Sequence, residues 1–159
     1  MWGAQMNKKG MIMNSKLATL FSIVCVVVFT ALPARAESPN DILIIANKSV
    51  NLDSVSRDEI RAIFLKKRKT WRGGGKVVPI NAKMGTSLRS EFAQKVLGLS
   101  PASEKRFWED QKVKRGRTAP PELKNPLKGV FSLKGSVSYV RRKNFKPGVA
   151  KVLLVIPSR

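Results

Sequence analysis

The first ordered pattern in this chain is Ile42-Leu43-Ile44-Ile45-Ala46, five apolar residues without a polar break. Such a run suits a strand buried on both faces. The period then changes. Ile60, Ile63 and Phe64 recur at helical spacing. Ser56 with Glu59 forms a capping-box pattern ahead of them, and Val55 with Ile60 a hydrophobic staple, so residues 57–67 are predicted helical. Gly73-Gly74-Gly75 permits a tight turn into a strand at 76–81, carrying Val77, Val78 and Ile80. Leu88, Phe92 and Val96 then mark a second helix from Ser87 to Leu97, with Gly98 as its stop. Ser100-Pro101 is a cap with proline at the first helical position. It opens a third helix to about Gln111, carrying Phe107 and Trp108.

Residues 112–124 are basic, contain proline and read as loop. Asn125-Pro126 caps a short helix through Leu133; Val137, Tyr139 and Val140 form a strand; residues 143–148 turn; residues 149–156 are a last strand. Trp71, Trp108 and Tyr139 read as packing residues, and Ser136 and Ser138 as hydroxyls on a strand surface. Strands alternating with helices predict an α/β fold with a mixed or mostly parallel sheet flanked by helices.

Residues 1–36 read as a secretory signal. Lys8, Lys9 and Lys16 are basic, Leu17 to Leu32 is apolar, and Ala34-Arg35-Ala36 fits a small-x-small cleavage site. The alternative is an uncleaved inner-membrane anchor, for which the apolar run falls short of the roughly 20 residues of a comfortable span. Cleavage places residues 37–159 in the periplasm as one small domain. That domain has no cysteine and no histidine, which excludes thiolate or imidazole metal sites and histidine-based acid–base catalysis. No cofactor and no catalytic activity are expected. The signal takes away four basic residues (Lys8, Lys9, Lys16, Arg35) and no acid, so a net charge of +21 falls only to +17. Such an excess attracts anions of every size. Export makes nucleic acid an unexpected physiological partner.

The chemistry concentrates between the strand at Val77 and the helix at Ser87. Asn81-Ala82-Lys83-Met84-Gly85-Thr86-Ser87 feeds a helix N-terminus, where N–H groups lack acceptors and the dipole favours an anion. The same residues also make an ordinary helix cap. Lys66 to Lys76 reads either as a solvated loop or as a docking patch that the basic groups 112–117 and 141–143 could join.

In order, these motifs resemble the phosphate-binding periplasmic proteins of phosphate ABC transporters, in particular their short single-lobe relatives. The matching residues are Ile44 to Asn47, Val55 to Arg68, Trp71 with its glycine turn, Val77 to Asn81, Gly85 to Phe92, Trp108 and Lys134 to Val140. The resemblance spans about residues 41–156. It implies a single lobe of the periplasmic-binding-protein type II fold. It also implies noncatalytic binding of phosphate or a similar oxyanion by Lys83, Gly85, Thr86, Ser87 and Arg89. The chain departs from the family at three points. Met84-Gly85-Thr86-Ser87 stands where the family has Ser-Gly-Thr, and two registers fit, one matching Gly85-Thr86 and the other Arg89 and Phe92. Lys83 stands nearest to the family's charge-neutralising arginine and lacks its bidentate fork. The full-size proteins clamp ligand between two lobes, and this chain has the length of one. An ABC transporter, a sensor or a second lobe from another chain are the partners this implies. The alternative function is an envelope interaction module whose basic surface docks an acidic protein, lipid or polymer.

Overall fold

A computed structural model describes residues 37–158. The signal-like segment, including Lys8, Lys9, Lys16, Cys25 and the Ala34-Arg35-Ala36 site, lies outside the described residues.

The strand β1 (Ile42–Ala46) occupies an interior position of a four-stranded sheet. Its neighbours are β5 (Ser136–Arg141) and β6 (Lys151–Ile156), and β2 (Val78–Pro79) lies beyond β5. Both pairings of β1 are antiparallel, with Ile44 opposite Tyr139 and Leu154. Among the described strands of this sheet, β2 and β5 alone run parallel. The sheet is therefore mixed, because the two C-terminal strands return on either side of β1 against its direction. A second, two-residue pairing joins β3 (Asn81–Ala82) in parallel to β4 (Glu122–Leu123).

The unbroken apolar run of β1 serves two cores. Alternate residues of a strand point to opposite faces. Ile42, Ile44 and Ala46 pack on one side with α1 (Arg57–Phe64), with α2 (Ser87–Phe92) and with the wide π-helical turn Ala93–Leu97 that continues α2. Leu43 and Ile45 pack on the other with Val130 and Leu127 of α4 (Pro126–Ser132). The long α3 (Pro101–Arg115) contributes Trp108, which is buried, and Phe107, half-buried against the first core.

Helix boundaries moved where side chains compete with pattern. The first helix ends at Phe64, before the expected 67. Lys66 takes a left-handed φ of 54°, and both Lys67 N–H and Arg68 N–H donate to the Ala62 carbonyl. Ser56 caps as expected by accepting from Glu59 N–H, but the Glu59 carboxylate pairs with Arg68 instead of returning to the cap. The third helix runs one turn past Gln111, where Asp110 and Lys114 pair at i,i+4 and Gly116 closes it with a φ of 61°.

Ser136 and Ser138, expected on a strand surface, are fully buried. Ser138 Oγ donates to the Ile80 carbonyl at 2.7 Å and Ser136 Oγ to the Val130 carbonyl at 3.2 Å, because both faces of β5 are covered. Trp71 is buried and donates Nε1–H to the Gly135 carbonyl at 3.0 Å.

Candidate anion site

The loop Lys83–Ser87 is exposed throughout and joins β3 to α2. Gly85 adopts a φ of 81°, which a residue with a Cβ would hold only under strain. Thr86 is the N-cap. Its Oγ1 donates to the Lys83 carbonyl at 2.8 Å and accepts from Arg89 N–H at 3.3 Å. Met84 N–H donates to a Glu122 carboxylate oxygen at 3.1 Å, which ties the loop to β4. The N–H groups of Ser87 and Leu88 have no acceptor among the described residues, as expected at a helix start.

Lys83, Thr86 and Ser87 line one wall of a cavity of about 810 Å³. Lys124 and Asn125 close a second wall, with Asn125 capping α4 through a bond from Lys128 N–H. Arg141, Lys143 and Lys146 close a third. Two helix starts and five basic side chains thus border one hollow, and no carboxylate among the described residues lines it. Arg141 is already committed: its Nη1 lies 2.6 Å from Glu91 and donates to the Asn40 carbonyl at 2.8 Å. Glu91 in turn is held below the usual carboxylate range; burial opposes this, and bonds from Lys95 and Arg141 outweigh it. Lys83, Lys124, Lys143 and Lys146 have no acidic partner within 4.0 Å among the described residues.

Arg89, named with the loop residues on sequence, points the other way. It is 2% exposed. Nη2 lies 2.6 Å from Glu104 Oε1, Nε donates to both Glu104 oxygens, and Nη1 reaches the Ala82 carbonyl at 3.3 Å and Tyr139 Oη at 3.5 Å. Burial disfavours its charge, and Tyr139 and Glu104 together outweigh burial and hold its pKa above the ordinary arginine value. The Tyr139 hydroxyl is pushed up to about 12, mainly by burial. Tyr139 stacks on Phe92 with ring centres 3.7 Å apart. The structure therefore brings together Lys83, Thr86 and Ser87, sets Gly85 in the same turn, and places Arg89 beneath them in the core.

Sequence reasoning passed over Lys124 and Lys146, which stood in segments read as loop and turn, and named Lys143 only as part of a docking patch with residues 66–76. Residues 66–76 do not join them; Lys66, Arg68, Lys69 and Lys76 border a separate groove with an apolar floor of Ile63, Val77 and Pro79. No group of three or more metal-ligating side chains occurs among the described residues, and no described helix is long and apolar enough to cross a membrane.

No family model and no curated protein matches this chain. Solved structures do. An ABC-type phosphate transport receptor from Vibrio cholerae superposes with a TM-score of 0.55 at 11% identity, over 74% of this chain and 47% of the receptor. A Clostridium perfringens protein, named as a phosphate ABC transporter substrate-binding protein and solved with phosphate bound, gives 0.54 at 15% identity, over 74% and 46%. The chain is thus similar in fold to phosphate receptors, with a mixed sheet between helices, and spans just under half of their length.

Proposed function

We propose that this protein is an exported, noncatalytic binding protein that holds phosphate or a similar oxyanion at the start of α2. The observation that carries the reading is the cavity beside Thr86 and Ser87, bordered, among the described residues, by four lysines without acidic partners and by no carboxylate. Clustered cations in water-filled concavities raise the local concentration of anions. Backbone N–H groups at a helix start add oriented donors. Lys83 neutralises charge, the Thr86 and Ser87 hydroxyls and the free N–H groups donate, and Gly85 permits the turn that presents them. Arg89 acts indirectly, by locking the base of the loop through the Ala82 carbonyl and Glu104. The fold likeness supports the same reading, since the similar structures are named as phosphate receptors. The described domain holds its ligand from one side, and an ABC transporter, a sensor or a second lobe supplies the other.

Calorimetry on the purified protein at fixed ionic strength tests this. Phosphate is expected to bind at millimolar concentration or below, ahead of chloride, and Thr86→Ala with Lys83→Ala to weaken it at least tenfold. Absence of phosphate and sulfate heat, or indifference to both substitutions, sinks the assignment. N-terminal sequencing of the protein recovered from cells tests export with cleavage after Ala36.

One observation favours a second reading, docking to an acidic envelope surface. The groove at Ile63 and Val77 carries four basic residues on its rim, away from the cavity. Binding there falls steeply with salt and needs no Thr86.

A further inference from the structure

The cavity is far larger than a phosphate ion needs. Its volume, about 810 Å³, lies within the roughly 300–1,000 Å³ of pockets that hold organic ligands. Its chemistry is also divided. Lys83 stands with the Thr86 and Ser87 hydroxyls at the α2 side, Lys124, Lys143 and Lys146 stand on the other two walls, and Leu127 adds an apolar surface at the α4 side. A second hollow of about 380 Å³ shares Asn125, Leu127 and Lys146 with the first and extends it to Phe131 and Val149. Phe131 is 63% exposed and lines that second hollow. Its backbone is fixed, because Asn47 Nδ2 donates to the carbonyls of both Val130 and Phe131, at 2.7 and 3.0 Å. The ring is therefore presented from a held helix, on the hollow that shares Asn125, Leu127 and Lys146 with the larger cavity.

We propose that the ligand is a small organic phosphate, a phosphomonoester carrying an aromatic or branched apolar body. The phosphoryl end sits at Thr86, Ser87 and Lys83, and the body lies along Leu127 to Phe131. This rests on the oxyanion reading above and names the class of anion. An inorganic ion uses the charged groups alone and leaves Leu127 and Phe131 in water. A phosphomonoester uses both, and covering the Phe131 ring and Leu127 removes apolar surface from solvent.

The test compares inorganic phosphate, 1-naphthyl phosphate and 1-naphthol by calorimetry on the purified protein at one ionic strength. Naphthyl phosphate is expected to bind about tenfold tighter than phosphate or more, and naphthol to give no measurable heat. In Phe131→Ala the ratio of the two phosphate affinities falls toward one. Phe131 is exposed, so folding survives the change; circular dichroism confirms that. Equal affinity for the two phosphates overturns the proposal. So does naphthol binding as tightly as naphthyl phosphate, or a ratio that Phe131→Ala leaves unchanged. If neither phosphate compound binds, the oxyanion reading itself falls, whereas phosphate binding without preference removes only the organic class.

Discussion

Arg89 and Lys83 stand six residues apart on one loop and helix start, and they have opposite fates. Arg89 is buried, its guanidinium divided among Glu104, Ala82 and Tyr139. Lys83 is exposed, without an acidic partner within 4.0 Å among the described residues, on the rim of a cavity. Charge alone does not mark a binding residue. A cation whose donors are already satisfied by protein has few left for a ligand, and extracting it from the core would strand Glu104. A cation with only water around it costs the fold little and remains free to bind.

The largest expected effect breaks the buried half of this pair. Arg89→Met leaves the Glu104 carboxylate buried without its partner, a change that costs roughly 3–5 kcal/mol. Urea denaturation measures it. Replacing both residues, as Arg89→Met with Glu104→Met, is expected to recover much of the loss, because two apolar side chains of similar volume remove the uncompensated charge. If Arg89→Met is as stable as the parent yet loses phosphate binding, Arg89 is a ligand-binding residue and the contrast with Lys83 collapses.

The inward turn of Arg89 was legible in the pattern, though masked by its charge. Arg89, Phe92, Ala93 and Val96 follow i, i+3, i+4, i+7, and all four are buried. Reading the stripe from Leu88 shifts the buried face by one residue and leaves Arg89 outside. The β1 strand was clear because five consecutive apolar residues have few other uses. The α2 start was clear because Thr86 and Gly85 have backbone reasons to be there. Lys124 and Lys146 were not, and Lys143 was read only as part of a docking patch, because a lysine in a polar segment carries no local signal. Only the pairing of Glu122–Leu123 with Asn81–Ala82 and the return of β5 bring them to Lys83. A two-residue strand 41 positions from its partner (122 − 81) has no periodicity to read. The Ser136 and Ser138 hydroxyls misled for a related reason: β5 is covered on both faces, which its own alternation does not announce.

An intermediate effect tests the exposed half. Lys83→Ala combined with Lys124→Ala is expected to leave stability within about 0.5 kcal/mol of the parent, as exposed positions usually do. The same double variant is expected to lower phosphate affinity about tenfold or more at low salt, and less at high salt where screening has already weakened the parent. Denaturation and calorimetry at two salt concentrations measure both. A loss of stability comparable to that of Arg89→Met would show these lysines to be structural, and an unchanged affinity would remove them from the site.

The smallest effect concerns a third charge, between the two extremes. Asp41 precedes β1 and is buried, yet its main partners are backbone groups. Its Oδ1 accepts from Ser158 N–H at 3.0 Å and its Oδ2 from Ser38 N–H at 3.1 Å, with Arg142 at 3.7 Å. The Ser158 bond holds its carboxyl below the ordinary value of 3.8; burial opposes it, and the Ser38 bond and the Arg142 charge add to it. A carboxyl depressed in the folded state contributes stability that is fully present above its unfolded pKa and is lost as pH falls through the folded value. The contribution is therefore intact at pH 5 and disappears below pH 3.8. Asp41→Asn is expected to be less stable than the parent at pH 5, with the gap narrowing as pH falls through that window. Chemical denaturation of both proteins across that range measures it. A gap that stays constant would mean that Asp41 holds Ser38 and Ser158 by shape alone, like an uncharged cap. A gap that closes would set it beside Arg89, as charge spent on the fold.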